Sequence, residues 1–293
     1  MNGETTTDVY PRRTGHEYAF LEDAAAIERA RAEIVSFIRL AVDDAGADGV
    51  VVPMSGGIDS TLTAALAIDA LGTDRVLGLG LPRRETDDAD SNDARTMAGG
   101  LGIEYRQVSL GPLLERFEDL IAPEIDPRGD RQAIGNVLAR FRMTCAYYAA
   151  NTRSYLVLGT ANRSELLLGY FTKHGDGGAD LYPIGDLYKT EVWEFAQEMG
   201  LPRRIIGKEP TAGFWNGQTD ADDLGAPYGQ LDPLLLRVAD RNERPEAAAR
   251  DLGMDPAIAR EHLARCADTA HKRDAPPKPG INGRTIGDRP SRL

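Results

Sequence analysis

Short apolar segments alternate along the chain with longer segments in which apolar residues recur at helical spacing. The short segments predict β-strands at residues 50–52, 75–82, 104–110 and 154–160. The longer segments predict α-helices at residues 23–45, 58–71, 111–121, 131–151, 189–199, 230–240 and 256–270, with an acidic loop and a further helix within 85–102. Because strands that alternate with helices form parallel sheets with right-handed crossovers, the pattern predicts an α/β fold, a Rossmann-like open parallel sheet with helices on both faces.

Both ends of the chain depart from this alternating pattern. Residues 1–22 are polar and predict an N-terminal arm that lacks the apolar core of a signal peptide. Residues 276–293 are rich in Pro and Gly and predict a mobile C-terminal tail. The remaining residues, 23–275, predict a single α/β domain, since open α/β enzymes reach this length as one unit.

The segment PMSGGIDS, residues 53–60, joins the first predicted strand to a helix and is called the phosphate loop below. Gly56 and Gly57 would let an anion approach the backbone, and the helix N-terminus presents free N–H groups and the positive end of its dipole. Asp59 would repel a phosphate, and a carboxylate beside a phosphate site is typical of magnesium binding. The full segment therefore predicts phosphate binding with a metal ligand, although SGG alone fits an ordinary Gly-rich turn equally well.

The composition argues against several classes of partner. A net charge of −12 argues against nucleic-acid binding, which needs a basic face, and no apolar run is long enough to span a membrane. Cys145 and Cys266 lack metal-ligand spacing and are typical of reduced packing residues in a cytoplasmic protein. The chain has five lysines and 29 arginines. This skew and the acidic excess fit adaptation to concentrated salt, and a GC-rich genome would also explain the skew.

Four further segments carry more polar chemistry than packing requires. They are GNVLARFRM (135–143), LGTANRSELLLGYFTKHGDGGADLYPIGDLYKTEV (158–192), GKEPTAGFWNGQTDADDLG (207–225) and HKR (271–273). If the strands that precede Asp59 and Glu165 are neighbours, the two carboxylates lie at one sheet edge and could share a magnesium ion. Taken singly, the segments also fit solvated arginines, a tight surface turn or a cationic helix cap.

In this order, the phosphate loop and the four segments resemble the ammonia-dependent NAD synthetases over about residues 25–275. The phosphate loop alone is shared with the wider group of ATP pyrophosphatases, and the later segments distinguish NAD synthetases within that group. The resemblance implies the ATP pyrophosphatase type of fold and a two-step reaction. Deamido-NAD attacks ATP through its nicotinate carboxylate and pyrophosphate leaves; ammonia then displaces AMP from the adenylated carboxylate to give NAD, the last step of NAD biosynthesis.

The resemblance also implies roles for individual residues and a homodimer with the dinucleotide bound across the interface. It assigns the co-substrate ATP and its leaving pyrophosphate to Pro53, Met54, Ser55, Gly56, Gly57, Ile58, Asp59, Ser60, Thr160, Lys189 and Thr211. It assigns deamido-NAD to Arg140, Lys173, Asp180, His271 and Lys272, and Mg²⁺ to Asp59 and Glu165. The expected catalytic residues are Asp59, Glu165, Lys189 and Asp180, of which Asp180 is the candidate acceptor of the ammonium proton.

Free ammonia is the expected nitrogen source. Only about 25 residues precede the first predicted helix, too few for the cysteine hydrolase domain of glutamine-dependent relatives, and a separate glutaminase subunit stays open. Two other functions stay open: another ATP pyrophosphatase, such as a GMP synthetase-like amidase, and a nucleotide-binding sensor without turnover. A sensor would predict a damaged metal pair, whereas Asp59 and Glu165 are both present.

Overall fold

A parallel sheet lies at the centre of the computed structural model, which describes residues 19–21, 23–83, 89–126, 128–214, 217–277 and 279. The strands are β1 (Gly49–Pro53), β2 (Val76–Gly80), β3 (Glu104–Gln107) and β4 (Tyr155–Val157), in the order β3-β2-β1-β4. Each pairing is parallel, so the predicted parallel sheet is confirmed. The predicted arm (1–22) and tail (276–293) lie mostly outside the described residues, and these two boundaries and the single domain stay predictions.

The helices of the described residues alternate with the strands and continue beyond them. They are α1 (Ala24–Ala45), α2 (Ile58–Leu71), α3 (Ala89–Leu101), α4 (Gly111–Leu120), α5 (Ala122–Ile125), α6 (Arg131–Arg153), α7 (Arg163–Leu168), α8 (Lys189–Glu198), α9 (Arg203–Ile206), α10 (Asp220–Leu224), α11 (Tyr228–Leu235), α12 (Pro245–Asp251) and α13 (Pro256–Asp268). A π-helical turn, Leu236–Asp240, extends α11. Within these described ranges, no helix has both the length and the apolar content to span a membrane.

Alternate valines of β1 are buried on opposite faces of the sheet. Val50 and Val52 belong to a core cluster with α1, α2 and α8, in which Phe195 is fully buried. Val51 belongs to a second cluster with α4 and α6, in which Leu138 is buried. Since fully burying one such side chain contributes about 1.5–3 kcal/mol, both layers stabilise the sheet strongly. The prediction of helices on both faces is confirmed.

The fourth strand is shorter than the sequence predicts. The apolar run at 154–160 forms a strand only at Tyr155–Val157. Leu158 N still donates to Val51 O of β1 at 2.9 Å, but Leu158 also forms an isolated parallel bridge with Leu181, and Gly159 N donates to Leu181 O rather than to β1. Thr160 therefore lies three residues beyond the strand, and its predicted position at the end of a strand is wrong.

A third apolar cluster packs α7, α11 and α13 together beyond the end of β4. Leu168, Leu231, Leu235 and Cys266 are fully buried in it. Because α11 contacts both α7 and α8, this layer holds the start of each helix near the carboxyl ends of β1 and β4. Ligands of open α/β sheets bind at that edge.

Candidate active site

The phosphate loop folds back on itself between β1 and α2. Gly57 N donates to Ser55 Oγ at 3.2 Å, and the Ser60 hydroxyl donates to Gly57 O at 3.1 Å. Gly56 has φ +80°, and a Cβ there would overlap Asp90 O, so glycine is required. Among the described residues, no side chain caps the N-terminus of α2. Its N–H groups can therefore bind an anion, and the helix dipole would favour that.

Asp59 and Glu165 approach the same buried ammonium group, that of Lys189. Asp59 Oδ2 lies 2.6 Å from Lys189 Nζ, and Glu165 Oε1 lies 3.7 Å from it. Asn162 contacts both carboxylates, since its side-chain amide donates to Asp59 Oδ1 at 3.0 Å and its backbone N–H donates to Glu165 Oε2 at 3.1 Å. The strands before the two acids, β1 and β4, are neighbours, so the structure brings the two carboxylates together as the sequence predicts.

Burial controls the charges of this group. Burial and the nearby Asp59 carboxylate raise the pKa of Glu165 to about 8, although Lys189 acts in the opposite direction. Burial lowers the pKa of Lys189, but Asp59 and Glu165 outweigh burial and hold it above its ordinary value. Lys189 therefore stays an ammonium ion, and a further cation between the carboxylates would favour ionised Glu165.

A buried hydrogen-bond network fixes the helices that carry these groups. The Ser164 hydroxyl donates to Asp232 Oδ1 at 2.6 Å and accepts from Lys189 N at 2.9 Å. Asp232 Oδ2 accepts from Thr190 N at 2.8 Å. Asp232 thus joins α11 to the first turns of α7 and α8 and orients Glu165 and Lys189 indirectly. Neither Ser164 nor Asp232 was predicted from the sequence, because neither belongs to a phosphate or metal motif.

A cleft of about 300 Å³ opens beside these groups. Every predicted ATP residue except Gly56 and Ser60 lines it. The lining also includes polar side chains to which the sequence analysis gave no role, namely Tyr105, Arg142, Tyr170, Asp176, Lys208 and Asp220. Lys208 Nζ donates to Gly56 O and to Asp93 Oδ2, both at 3.2 Å. Lys208 thereby connects the phosphate loop to α3.

Most of the residues predicted to bind deamido-NAD form one cluster outside the cleft lining. Arg140 Nε donates to Lys173 O at 3.3 Å, and Lys173 Nζ donates to the backbone oxygen of His271. Lys272 Nζ donates to Gly169 O at 2.7 Å. These contacts bring α6, the loop after α7 and the segment after α13 together, as one binding surface requires.

Asp180 lies apart from that cluster, at the end of β4. Its Oδ1 accepts from the Tyr147 hydroxyl at 2.8 Å, and its Oδ2 accepts from Val157 N at 2.8 Å. Both carboxylate oxygens are thus engaged with the chain. This geometry favours a structural role for Asp180, and its predicted ligand and catalytic roles stay predictions.

Comparisons with known proteins identify similar sequences and similar folds. A family model described as NAD synthase matches residues 30–276. The NH(3)-dependent NAD(+) synthetase of Methanosarcina acetivorans is 45% identical over 255 residues, 87% of this chain and 98% of the relative. The corresponding protein of Halobacterium salinarum is 40% identical over 256 residues, 87% of this chain and 94% of the relative.

Two solved structures share the fold over most of their length. The structure of NMN synthetase from Francisella tularensis has a TM-score of 0.73 and 31% identity, covering 86% of this chain and 98% of the other. The NH3-dependent NAD synthetase from Campylobacter jejuni has a TM-score of 0.72 and 28% identity, with the same coverages.

Proposed function

The chain belongs to the NAD synthase family, and we infer that it makes NAD by the ATP-dependent amidation of deamido-NAD with ammonia. It is an amide-forming ligase of the last step of NAD biosynthesis, and AMP and pyrophosphate are the other products. One observation supports this reaction at the candidate site. Asp59, Glu165 and Lys189 lie together beside the phosphate loop, at the carboxyl ends of β1 and β4.

The chemistry explains why such a site needs no protein nucleophile. A carboxylate oxygen of deamido-NAD attacks the α-phosphorus of ATP, the bond to the bridging oxygen breaks, and pyrophosphate leaves. This step needs positioning and neutralisation of charge on the phosphates. The N–H groups of the phosphate loop and the Lys189 ammonium supply both. Ammonia then forms a C–N bond to the carboxyl carbon, the C–O bond to the adenylate breaks, AMP leaves with the oxygen that it gained, and the nitrogen loses one proton.

Asp59 and Glu165 fit the magnesium ion that the family resemblance implies. They are oxygen ligands that approach one another around Lys189, and Glu165 Oε1 has only a distant contact, at 3.7 Å. Among the described residues, no group of three or more Asp, Glu, His or Cys side chains could hold a metal. The two carboxylates would therefore hold Mg²⁺ together with phosphate oxygens, and the ion would neutralise charge on the phosphates.

The dinucleotide-binding cluster supports a homodimer. Arg140, Lys173, His271 and Lys272 lie outside the cleft lining, so a dinucleotide that reaches both places needs a wider surface than the cleft provides. Large apolar side chains are exposed on the neighbouring helices α4, α5 and α6, namely Leu113, Leu120, Ile125 and Tyr148. A second copy of the chain that covers this surface would bury the apolar side chains and enlarge the site. The net charge of −12 and the free cysteines are consistent with a cytoplasmic enzyme that does not bind nucleic acid.

The test is synthesis of NAD by the purified chain from deamido-NAD, ATP, Mg²⁺ and ammonium. We expect equal amounts of NAD, AMP and pyrophosphate, and loss of activity in Asp59→Asn. A parallel reaction with nicotinic acid mononucleotide tests whether the chain amidates a mononucleotide instead of the dinucleotide, since one similar structure is that of an NMN synthetase. Nucleotide binding without turnover would contradict the proposal in favour of a sensor. AMP formation only with a purine nucleotide as the substrate that is aminated would contradict it in favour of another amidase.

A further inference from the structure

One buried carboxylate of the cleft has an oxygen without a hydrogen-bond partner. Asp220 is the first residue of α10, is only 3% exposed and lines the cleft. Its Oδ2 accepts from the Tyr228 hydroxyl at 2.9 Å. Its Oδ1 is buried and accepts no hydrogen bond from the described residues, since the Tyr170 hydroxyl, which lies near this carboxylate, donates to Asp223 Oδ2 at 2.7 Å instead. Leaving a buried charged oxygen unpaired is costly, so this arrangement indicates a ligand.

Asp232 and Glu191, the other buried carboxylates near the site among the described residues, are engaged at both oxygens. Asp232 accepts from Ser164 through one oxygen and from a backbone N–H through the other. Both oxygens of Glu191 accept from backbone N–H groups, at 2.9 and 2.7 Å. The two other unpaired buried atoms of the described residues are the Thr63 and Thr190 hydroxyls, and neither residue lines the cleft. Among the described residues, Asp220 is therefore the one that both lines the cleft and has a buried side-chain oxygen without a hydrogen-bond partner.

The negative charge around Asp220 favours the binding of a cation. Three carboxylates line this part of the cleft, on Asp59, Glu165 and Asp220, and Lys189 supplies one positive charge among them. Asp220 is not a third ligand of the proposed metal, because among the described residues no three acidic side chains are grouped closely enough. The Tyr228 ring, which lies 5.6 Å from Lys189 Nζ, adds an aromatic face that attracts cations.

We propose that Asp220 binds the ammonium ion that supplies the amide nitrogen, by accepting an N–H hydrogen bond at Oδ1. This inference rests on the proposed function, in which ammonia is the second nucleophile. Tyr228 acts as a positioning residue, since its hydroxyl holds the other oxygen of the carboxylate. A compact ion with four N–H donors matches one available carboxylate oxygen beside an aromatic ring.

The substitution Asp220→Asn tests this role, because it removes the charge and keeps an oxygen that accepts from Tyr228. We expect the KM for ammonium to rise at least about tenfold, as expected for loss of a charge-assisted hydrogen bond. Deamido-NAD-dependent exchange of labelled pyrophosphate into ATP, which needs no ammonium, should stay within about threefold of the unmodified chain. Hydroxylamine is uncharged at about pH 8, so its use as nucleophile should suffer much less than that of ammonium.

Asp222→Asn is the matched control, since it removes the same charge from the same helix at an exposed position. An unchanged KM for ammonium in a folded Asp220→Asn chain would contradict the proposal. So would equal losses with ammonium, with hydroxylamine and in the exchange reaction, or full rescue by added Mg²⁺. If Asp220→Asn does not fold, Tyr228→Phe should raise the KM for ammonium by a smaller factor, and an unchanged KM would again contradict the proposal. If the unmodified chain makes no NAD, the proposed function itself fails.

Discussion

Replacing Lys189 with Met would remove the positive charge between two partly buried carboxylates and keep a side chain of similar length. In the structure, Lys189 Nζ lies 2.6 Å from Asp59 and 3.7 Å from Glu165, and its side chain is 3% exposed. At an effective dielectric constant of about 20, these attractions amount to about 6 and 4.5 kcal/mol before desolvation is subtracted. Removing one partner of a buried ion pair destabilises proteins by about 3–5 kcal/mol. We expect Lys189→Met to lower the free energy of unfolding by about 3 kcal/mol at about pH 8, the lower end of this range. Glu165 can reduce its charge repulsion with Asp59 by binding a proton.

The loss should depend on pH in a defined direction. Without the ammonium group, the folded-state pKa of Glu165 rises further above its unfolded value. A carboxyl with a raised folded-state pKa stabilises the fold below its unfolded pKa, and this stability is lost as the pH rises through its folded pKa. Because Glu165 keeps its proton in both proteins at about pH 7 and only the unmodified chain loses it by about pH 9, the difference between Lys189→Met and the unmodified chain should grow by about 1 kcal/mol from about pH 7 to about pH 9.

Equilibrium unfolding in urea at the two pH values measures this difference directly. Lys208→Met is the matched control, because it removes the same charge from a side chain that is 24% exposed and bonded to Asp93. We expect that control to lose at most about 1 kcal/mol, with little change between the two pH values. An unfolding free energy of Lys189→Met equal to that of the control, or a difference that shrinks as the pH rises, would refute the reasoning.

Three further predictions concern the metal, salt and the nitrogen source. Burial holds the pKa of Glu165 near 8, and a cation binds its ionised form. The affinity for MgATP, measured by calorimetry, should therefore rise by up to about tenfold per pH unit from about pH 6 to 8. Glu165→Gln should abolish this dependence on pH, and an unchanged dependence would place the metal elsewhere. With a net charge of −12 and few lysines, the chain should melt at a higher temperature in molar salt than at low ionic strength, whereas a flat or falling melting temperature would favour the base-composition explanation. Glutamine should not replace ammonium for the purified chain, and glutamine-driven NAD synthesis that survives Cys145→Ala and Cys266→Ala would contradict this.

The fold was largely predictable because its signals are local. The valine run of β1, the helical spacing in α1, α2 and α6, and the predicted start of α13 at residue 256 all match the structure. The short helices α5, α7, α9, α10 and α12 were not predicted, since each spans at most seven residues and carries too few turns for a periodic pattern. The end of β4 was misplaced because Leu158 forms a backbone bridge with Leu181, which is distant in the sequence.

The candidate site was predictable where motifs carry its residues. The phosphate loop, Asp59, Glu165 and Lys189 come together as expected, because β1 and β4 are neighbours. Asp232 lies outside the segments singled out in the sequence, and Asp220 lies in one of them, 207–225, without a predicted role. Their roles depend on partners that folding brings to them: Asp232 on the helix starts that it joins, and Asp220 on the hydroxyl of Tyr228. An acidic residue in an acidic segment looks solvated until the fold shows that it is buried.

Transfer of oxygen isotope tests the central claim most directly. Deamido-NAD labelled with ¹⁸O in its nicotinate carboxylate is converted by the purified chain with ATP, Mg²⁺ and ammonium, and the products are analysed by mass spectrometry. If the carboxylate is adenylated in the site formed by the phosphate loop, Asp59, Glu165 and Lys189, one ¹⁸O atom appears in AMP for each NAD made, and none appears in pyrophosphate. NAD formation with unlabelled AMP, or with ADP and labelled phosphate as products, would contradict the account.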